Sequence, residues 1–170
     1  VRLNLWNAVA VLDLSSMRGV EMLAGSVAQL VQRNVPIHMG IVPMFDALDG
    51  PAAQMARVFY YVVETQGAVS AQQLCSAIVM SSGGAKAKDV DMGIVRQLYD
   101  GMYNQATQEG EELLSFDELL ASPEYGERLA AARAYLERLG ATPSDSASGH
   151  LFVNGIHSPM HNVSSRVFSS

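Results

Sequence analysis

The chain has 170 residues, 49% of them apolar before glycine is counted, enough for one domain with a proper hydrophobic core. Its net charge is −6 and its pI near 5.1, and the 11 Lys and Arg form no basic stripe, which excludes a nucleic-acid surface. No apolar run approaches the ~18 to 20 residues that cross a bilayer, so no membrane partner is expected.

Val1 to Asp13 has no basic n-region and reads as part of the fold, not as a leader. The start without Met and the abrupt Ser169-Ser170 end look like those of a piece cut from a longer chain. Leu5 to Leu12 reads as a strand. Its run Val9-Ala10-Val11-Leu12 is apolar on both faces, as in a central strand covered on both sides. Asp13-Leu14-Ser15-Ser16 supplies turn and N-cap chemistry. Val20, Leu23, Val27, Leu30 and Val31 then place one apolar stripe on a helix. Ile37 to Val42, between Pro36 and Pro43, is a second buried strand. Strand, helix and strand within about 40 residues make a parallel, right-handed βαβ unit.

From Gly50 to Ala121 no convincing strand occurs. A helix is expected over Ala52–Thr65, broken at Gly67, and a second from Ser70 through Ile78 and Val79. A third spans Val90 to Gln105, with Ile94, Leu98 and Met102 on its stripe, and Phe116 to Leu120 is a short fourth. Ser122-Pro123-Glu124 starts another helix, with Ser122 as N-cap and Pro123 in its first turn. Its stripe is Tyr125, Leu129, Ala132, Leu136 and Leu139, and Gly140 stops it. Leu151 to Val153 is a third strand, Asn154-Gly155 a hairpin turn, and Ile156 begins the antiparallel return. The tail beyond Pro159 has room for a C-terminal helix. This order, β-α-β, helical insert, α-β-β, is the α/β thioredoxin-like arrangement in its DsbA-like form. Residues 1–49 and 122–170 form the thioredoxin core and 50–121 the helical insert.

A thioredoxin-fold enzyme carries Cys-x-x-Cys where the first strand meets the first helix, whose N-terminus lowers the thiol pKa. Here that junction reads Leu14-Ser15-Ser16-Met17-Arg18, and the one cysteine, Cys75, falls in the insert. The usual Pro before the third strand is also replaced, by Ser148-Gly149-His150. The four His show no metal-ligand spacing and read as polar loop residues, so neither a metal nor a cofactor is expected. No catalytic residue is assigned. Asn162-Val163-Ser164 is a glycosylation sequon, which makes Asn162 a candidate modification site.

The opening Val1-Arg2-Leu3-Asn4-Leu5-Trp6-Asn7, followed by Val9 and Asp13, resembles the pattern R-x-N-L-x-N-x-V-x-x-x-D. That pattern opens a thioredoxin-like domain of the UDP-glucose:glycoprotein glucosyltransferases, folding sensors of the endoplasmic reticulum. Val35 to Ile41 is similar to their next strand, with His38 at a position where Arg is common. Arg57 to Val62 resembles a Tyr-bearing insert helix, and Leu151-Phe152-Val153-Asn154-Gly155 their L-F-x-N-G hairpin. The resemblance implies the third, redox-inactive thioredoxin-like domain of such an enzyme, in the lumen of the endoplasmic reticulum. It implies misfolded glycoprotein clients and neighbouring domains of the same chain as partners. UDP-glucose and a divalent cation would belong to the parent's catalytic domain, which nothing here matches.

If such a domain binds apolar clients, the junction between sheet and insert is the expected groove. Met44 and Phe45 leave the second strand there. Tyr99, Met102 and Tyr103 close the third insert helix. Phe152, Ile156 and Met160 lie on or beyond the hairpin. Val167 and Phe168, in the polar tail, are expected to lie over the groove as a removable cover. A purely architectural spacer is the alternative.

Overall fold

The computed structural model describes residues 6–27, 29, 37–83, 87–141 and 149–159. Strand β1 (Trp6–Leu12) leads into α1 (Met17–Met22), which continues as a π-helical turn over Leu23–Val27. β2 (Ile37–Pro43) follows, then the long α2 (Gly50–Ser81), α3 (Met92–Gln108), α4 (Phe116–Ala121) and α5 (Pro123–Leu139), then β3 (Gly149–Val153) and β4 (Ile156–Pro159). The four strands form one sheet in the order β2-β1-β3-β4. β1 and β2 run parallel, Trp6 beside Ile37 and Leu12 beside Pro43, while β3 lies antiparallel to both β1 and β4. The thioredoxin-like order read from the sequence is therefore the observed one.

Both faces of β1 are covered, as its apolar run requires. Ala10 and Leu12 point into a large core shared with Val20, Met55, Val62, Val95 and Leu119. Val9 and Val11 face a smaller one with Ala53, Ala56, Leu129 and Leu136. The period-2 alternation of a strand makes this division. The Asn154-Gly155 turn has both central residues at positive φ, 49° and 82°, as the tight hairpin turn demands.

The break expected at Gly67 is present as a kink with φ 86° and ψ 167°, where two helical segments meet within α2. Glycine alone reaches that backbone conformation at no steric cost. Two local expectations change. Ser122 begins α5 but makes no side-chain cap; its carbonyl instead accepts a hydrogen bond from Arg57 Nη1 at 3.1 Å. The apolar stripe of α1 is regular only through Leu23, where the π turn begins, and Leu30 and Val31 lie outside the described residues.

The large core also runs unbroken from β1 and α1 into the insert, through Phe59, Tyr61, Ile78, Tyr99 and Phe116 to Tyr125 on α5. Two tyrosines tie the connection before α4 to the insert helices. Tyr61 Oη accepts from Leu114 N–H at 2.6 Å, and Tyr99 O–H donates to the Leu114 carbonyl, also at 2.6 Å. Both backbone polar groups of half-buried Leu114 are thereby satisfied.

Candidate functional site

At the junction of β1 and α1, Ser15 donates both its N–H and its hydroxyl to Asp13 Oδ1, at 2.9 and 2.6 Å. Ser16 donates its hydroxyl to the Asp13 carbonyl at 2.9 Å and accepts from Gly19 N–H at 3.1 Å, so it caps α1. The segment leading to α3 closes over this turn: Met17 N–H donates to the Lys88 carbonyl and Val90 N–H to that of Ser15, at 3.1 and 2.8 Å. Serines therefore lead into α1, held in place by backbone hydrogen bonds, where a redox thiol would sit. A Cβ at position 19 would stand 1.9 Å from the Asp13 carbonyl oxygen, so a second thiol three residues after Ser16 does not fit.

Cys75 is buried in the large core. Burial in apolar surroundings pushes its thiol up to about 12, far from the thiolate that exchange chemistry uses. With one cysteine in the chain, no internal Cys–Cys pair exists.

The expected client groove does not assemble as one surface. Met44 and Phe45 are only 2% exposed, packed in the smaller core against Val11 and the Leu129–Leu136 face of α5. Tyr99 is 1% exposed and lies in the large core on the other side of the sheet. Phe152 is half-buried against the smaller core, while Met102 and Tyr103 pack half-buried on the large one. The groove fails because no seam separates sheet and insert: the junction is filled core. Ile156 is 75% exposed. Met160, Asn162, Val167 and Phe168 lie outside the described residues.

His150 and His157 are not loop residues. They lie on β3 and β4, His150 Nδ1 and His157 Nε2 2.9 Å apart, with the Phe152 ring stacked on His157 at 4.8 Å. Among the described residues no group of three or more His, Cys, Asp or Glu could hold a metal ion.

The sequence reading passed over a cleft of about 330 Å³ between α2 and α3, lined by Gln66, Ser70, Gln73, Leu74, Leu98, Met102, Gln105 and Glu109 among others. Among the described candidate residues only Met102 lines it. The signal was present as two facing lines at helical spacing. Ser70, Gln73 and Ala77 step by three and four, with Gln66 just before the Gly67 kink; Leu98, Met102, Gln105 and Glu109 step by four, three and four. Such spacing places each set on one helix face, but amides and serine do not register in a search for apolar stripes.

The chain has no significant match among curated protein sequences. Among solved structures it is similar to the oxidoreductase DsbA from Xylella fastidiosa, at 16% identity over 89% of this chain and 74% of that one, TM-score 0.59. A thioredoxin-like oxidoreductase from Silicibacter pomeroyi matches at 15% identity over 91% and 77%, TM-score 0.54. Pseudomonas aeruginosa DsbA matches at 10% identity over 89% and 74%, TM-score 0.56. At these identities the likeness is one of fold. A family model described as a thioredoxin-like domain matches residues 1–170, and the chain belongs to that thioredoxin-like family.

Proposed function

We propose that this chain is a redox-inactive thioredoxin-like module that recognises misfolded glycoproteins through exposed apolar surface, in the lumen of the endoplasmic reticulum. The observation that carries the reading is the β1–α1 junction, where Ser15, Ser16 and Met17 are held by the backbone of Lys88 to Val90. A thioredoxin frame without its thiols retains the use of its surface. Large apolar side chains at that surface support a binding role: Val69 and Met80 on α2 are 67% and 83% exposed. Scattered exposed apolar residues are ordinary, but two on one helix face beside a cleft are less so. The resemblance of the opening segment and the hairpin to the UDP-glucose:glycoprotein glucosyltransferases supplies the client class and the compartment. On this reading the UDP-glucose and divalent cation of such an enzyme are bound elsewhere in a longer chain.

A spacer role is favoured by a different observation. Trp6 and Ile156 are both exposed and lie on one sheet face near the hairpin end, since Ala8 pairs with Val153 and Val153 with Ile156. That end suits a contact with a neighbouring domain. The two roles separate in one experiment. The chain is passed over one immobilised N-glycoprotein in folded and in misfolded form, and binding is read by interferometry. Recognition requires binding to the misfolded form alone; no binding to either leaves the spacer role.

A further inference from the structure

Gly67 turns the second half of α2 so that it faces α3 across the cleft. Leu74 and Ala77 from α2, with Leu98 and Met102 from α3, give it an apolar floor. Three glutamines stand along it, each bearing a carbonyl and an amide able to meet a polypeptide backbone. Gln66 donates its amide to Glu111 at 2.7 Å and Gln105 to Glu109 at 3.1 Å, which leaves their carbonyl oxygens as acceptors. The rim is acidic. Glu109 lines the cleft, Glu111 holds Gln66, and among the described residues no Lys or Arg lines it. Neither carboxylate takes part in an ion pair recorded among the described residues.

The apolar character continues outward. Val69 and Met80 lie close together in angle on the outward, solvent-facing side of α2, next to Gln73 at the edge of the cleft. The volume lies at the small end of the ~300–1,000 Å³ range of ligand clefts. It suits a few side chains of an extended segment, not a whole folded surface.

We infer that the α2–α3 cleft binds an extended polypeptide segment whose bulky apolar side chains are flanked by Lys or Arg. The apolar groups enter between Leu74, Leu98 and Met102, Val69 and Met80 extend the contact, and the basic flank meets Glu109 and Glu111. This gives the client-recognition reading a site, and it rests on that reading.

The test uses the folded chain and two labelled peptides with one Leu-rich core, flanked by Lys in one and by Glu in the other, read by fluorescence anisotropy. The wild-type chain should prefer the Lys-flanked peptide. Met80→Asp, at a position too exposed to disturb the fold, and Met102→Glu should each weaken that binding about tenfold. Glu109→Lys should reverse the flank preference; a cation is favourable where Glu109 ends α3, so the helix stays intact. Circular dichroism checks the fold of every variant. Binding of wild type that survives all three changes with its preference intact overturns the cleft while leaving client recognition standing. Wild type that binds neither peptide nor misfolded glycoprotein overturns both. Self-association that Met80→Asp abolishes, without peptide binding, assigns the surface to a second copy and overturns the peptide assignment.

Discussion

Gly19→Ala sets two effects of known size against each other. Helix propensity favours alanine by about 1 kcal/mol in a helix interior. Sterics oppose it: the new Cβ would lie 1.9 Å from the Asp13 carbonyl oxygen and 2.7 Å from its carbon. Ordinary contact requires the two backbones to part by about 1.5 Å. The clashing atoms are main chain, so no rotamer change relieves them. The Asp13 carbonyl also accepts from the Ser16 hydroxyl, and the same turn holds Lys88 and Val90 through Met17 and Ser15. Overpacking costs about 1–3 kcal/mol, and two lost hydrogen bonds about 1 kcal/mol each. After the propensity gain, the net is a destabilisation of about 2–4 kcal/mol. Gly101, in the middle of α3 with nothing near its would-be Cβ, is the control: Gly101→Ala should stabilise by up to about 1 kcal/mol. In urea melts with a slope of ~2 kcal/mol/M, the first midpoint falls by about 1 M or more and the second rises by a few tenths. Equal rises for the two variants would refute the packing described at the β1–α1 junction.

Tyr99→Phe should cost about 1–2 kcal/mol by leaving the Leu114 carbonyl without its donor, measured against half-buried Tyr103→Phe, which should be near neutral. Glu64 is held below the usual carboxylate range, first by the hydrogen bond from Tyr125 and then by the Arg128 guanidinium. A lowered folded-state pKa stabilises above the ordinary carboxylate range and is lost as pH falls through the folded value. The stability gap between wild type and Glu64→Gln should therefore shrink on acidification, as urea midpoints at several pH values would record. Ser115→Ala removes the capping box with Glu118 at the start of α4 and should cost about 1 kcal/mol. Cys75 should resist alkylation at pH 8 in the native chain and react freely in urea.

The elements that the sequence revealed are those whose signals are local. The apolar run Val9–Leu12 declared a strand covered on both sides, Asn154-Gly155 a hairpin, Gly67 a break and Gly140 a stop, each through the conformational limits of a few adjacent residues. Burial was harder to read, because it depends on partners far along the chain. Met44 and Phe45 precede a polar, glycine-containing connection and read as exposed. They are covered because α5 brings Leu129 and Leu136 to them, and because Ala53 and Ala56 are small enough for α2 to approach. Tyr99 reads as lying beside a stripe of Ile94, Leu98 and Met102. It is the more buried residue because the face of α3 that packs inward is Val95, Tyr99 and Ala106, one position on from the expected stripe, and its hydroxyl finds Leu114. The cleft escaped for the opposite reason, since half of its lining is polar.

On the function proposed, this thioredoxin frame holds a client without exchanging disulfides with it. One measurement tests both halves: the chain is incubated with a disulfide-scrambled N-glycoprotein in a fixed glutathione buffer. Complex formation is followed by interferometry and the client's disulfide content by mass spectrometry. The account predicts a complex whose client keeps the disulfide distribution seen without the chain. A distribution that shifts in proportion to added chain, or no complex at all, would contradict it.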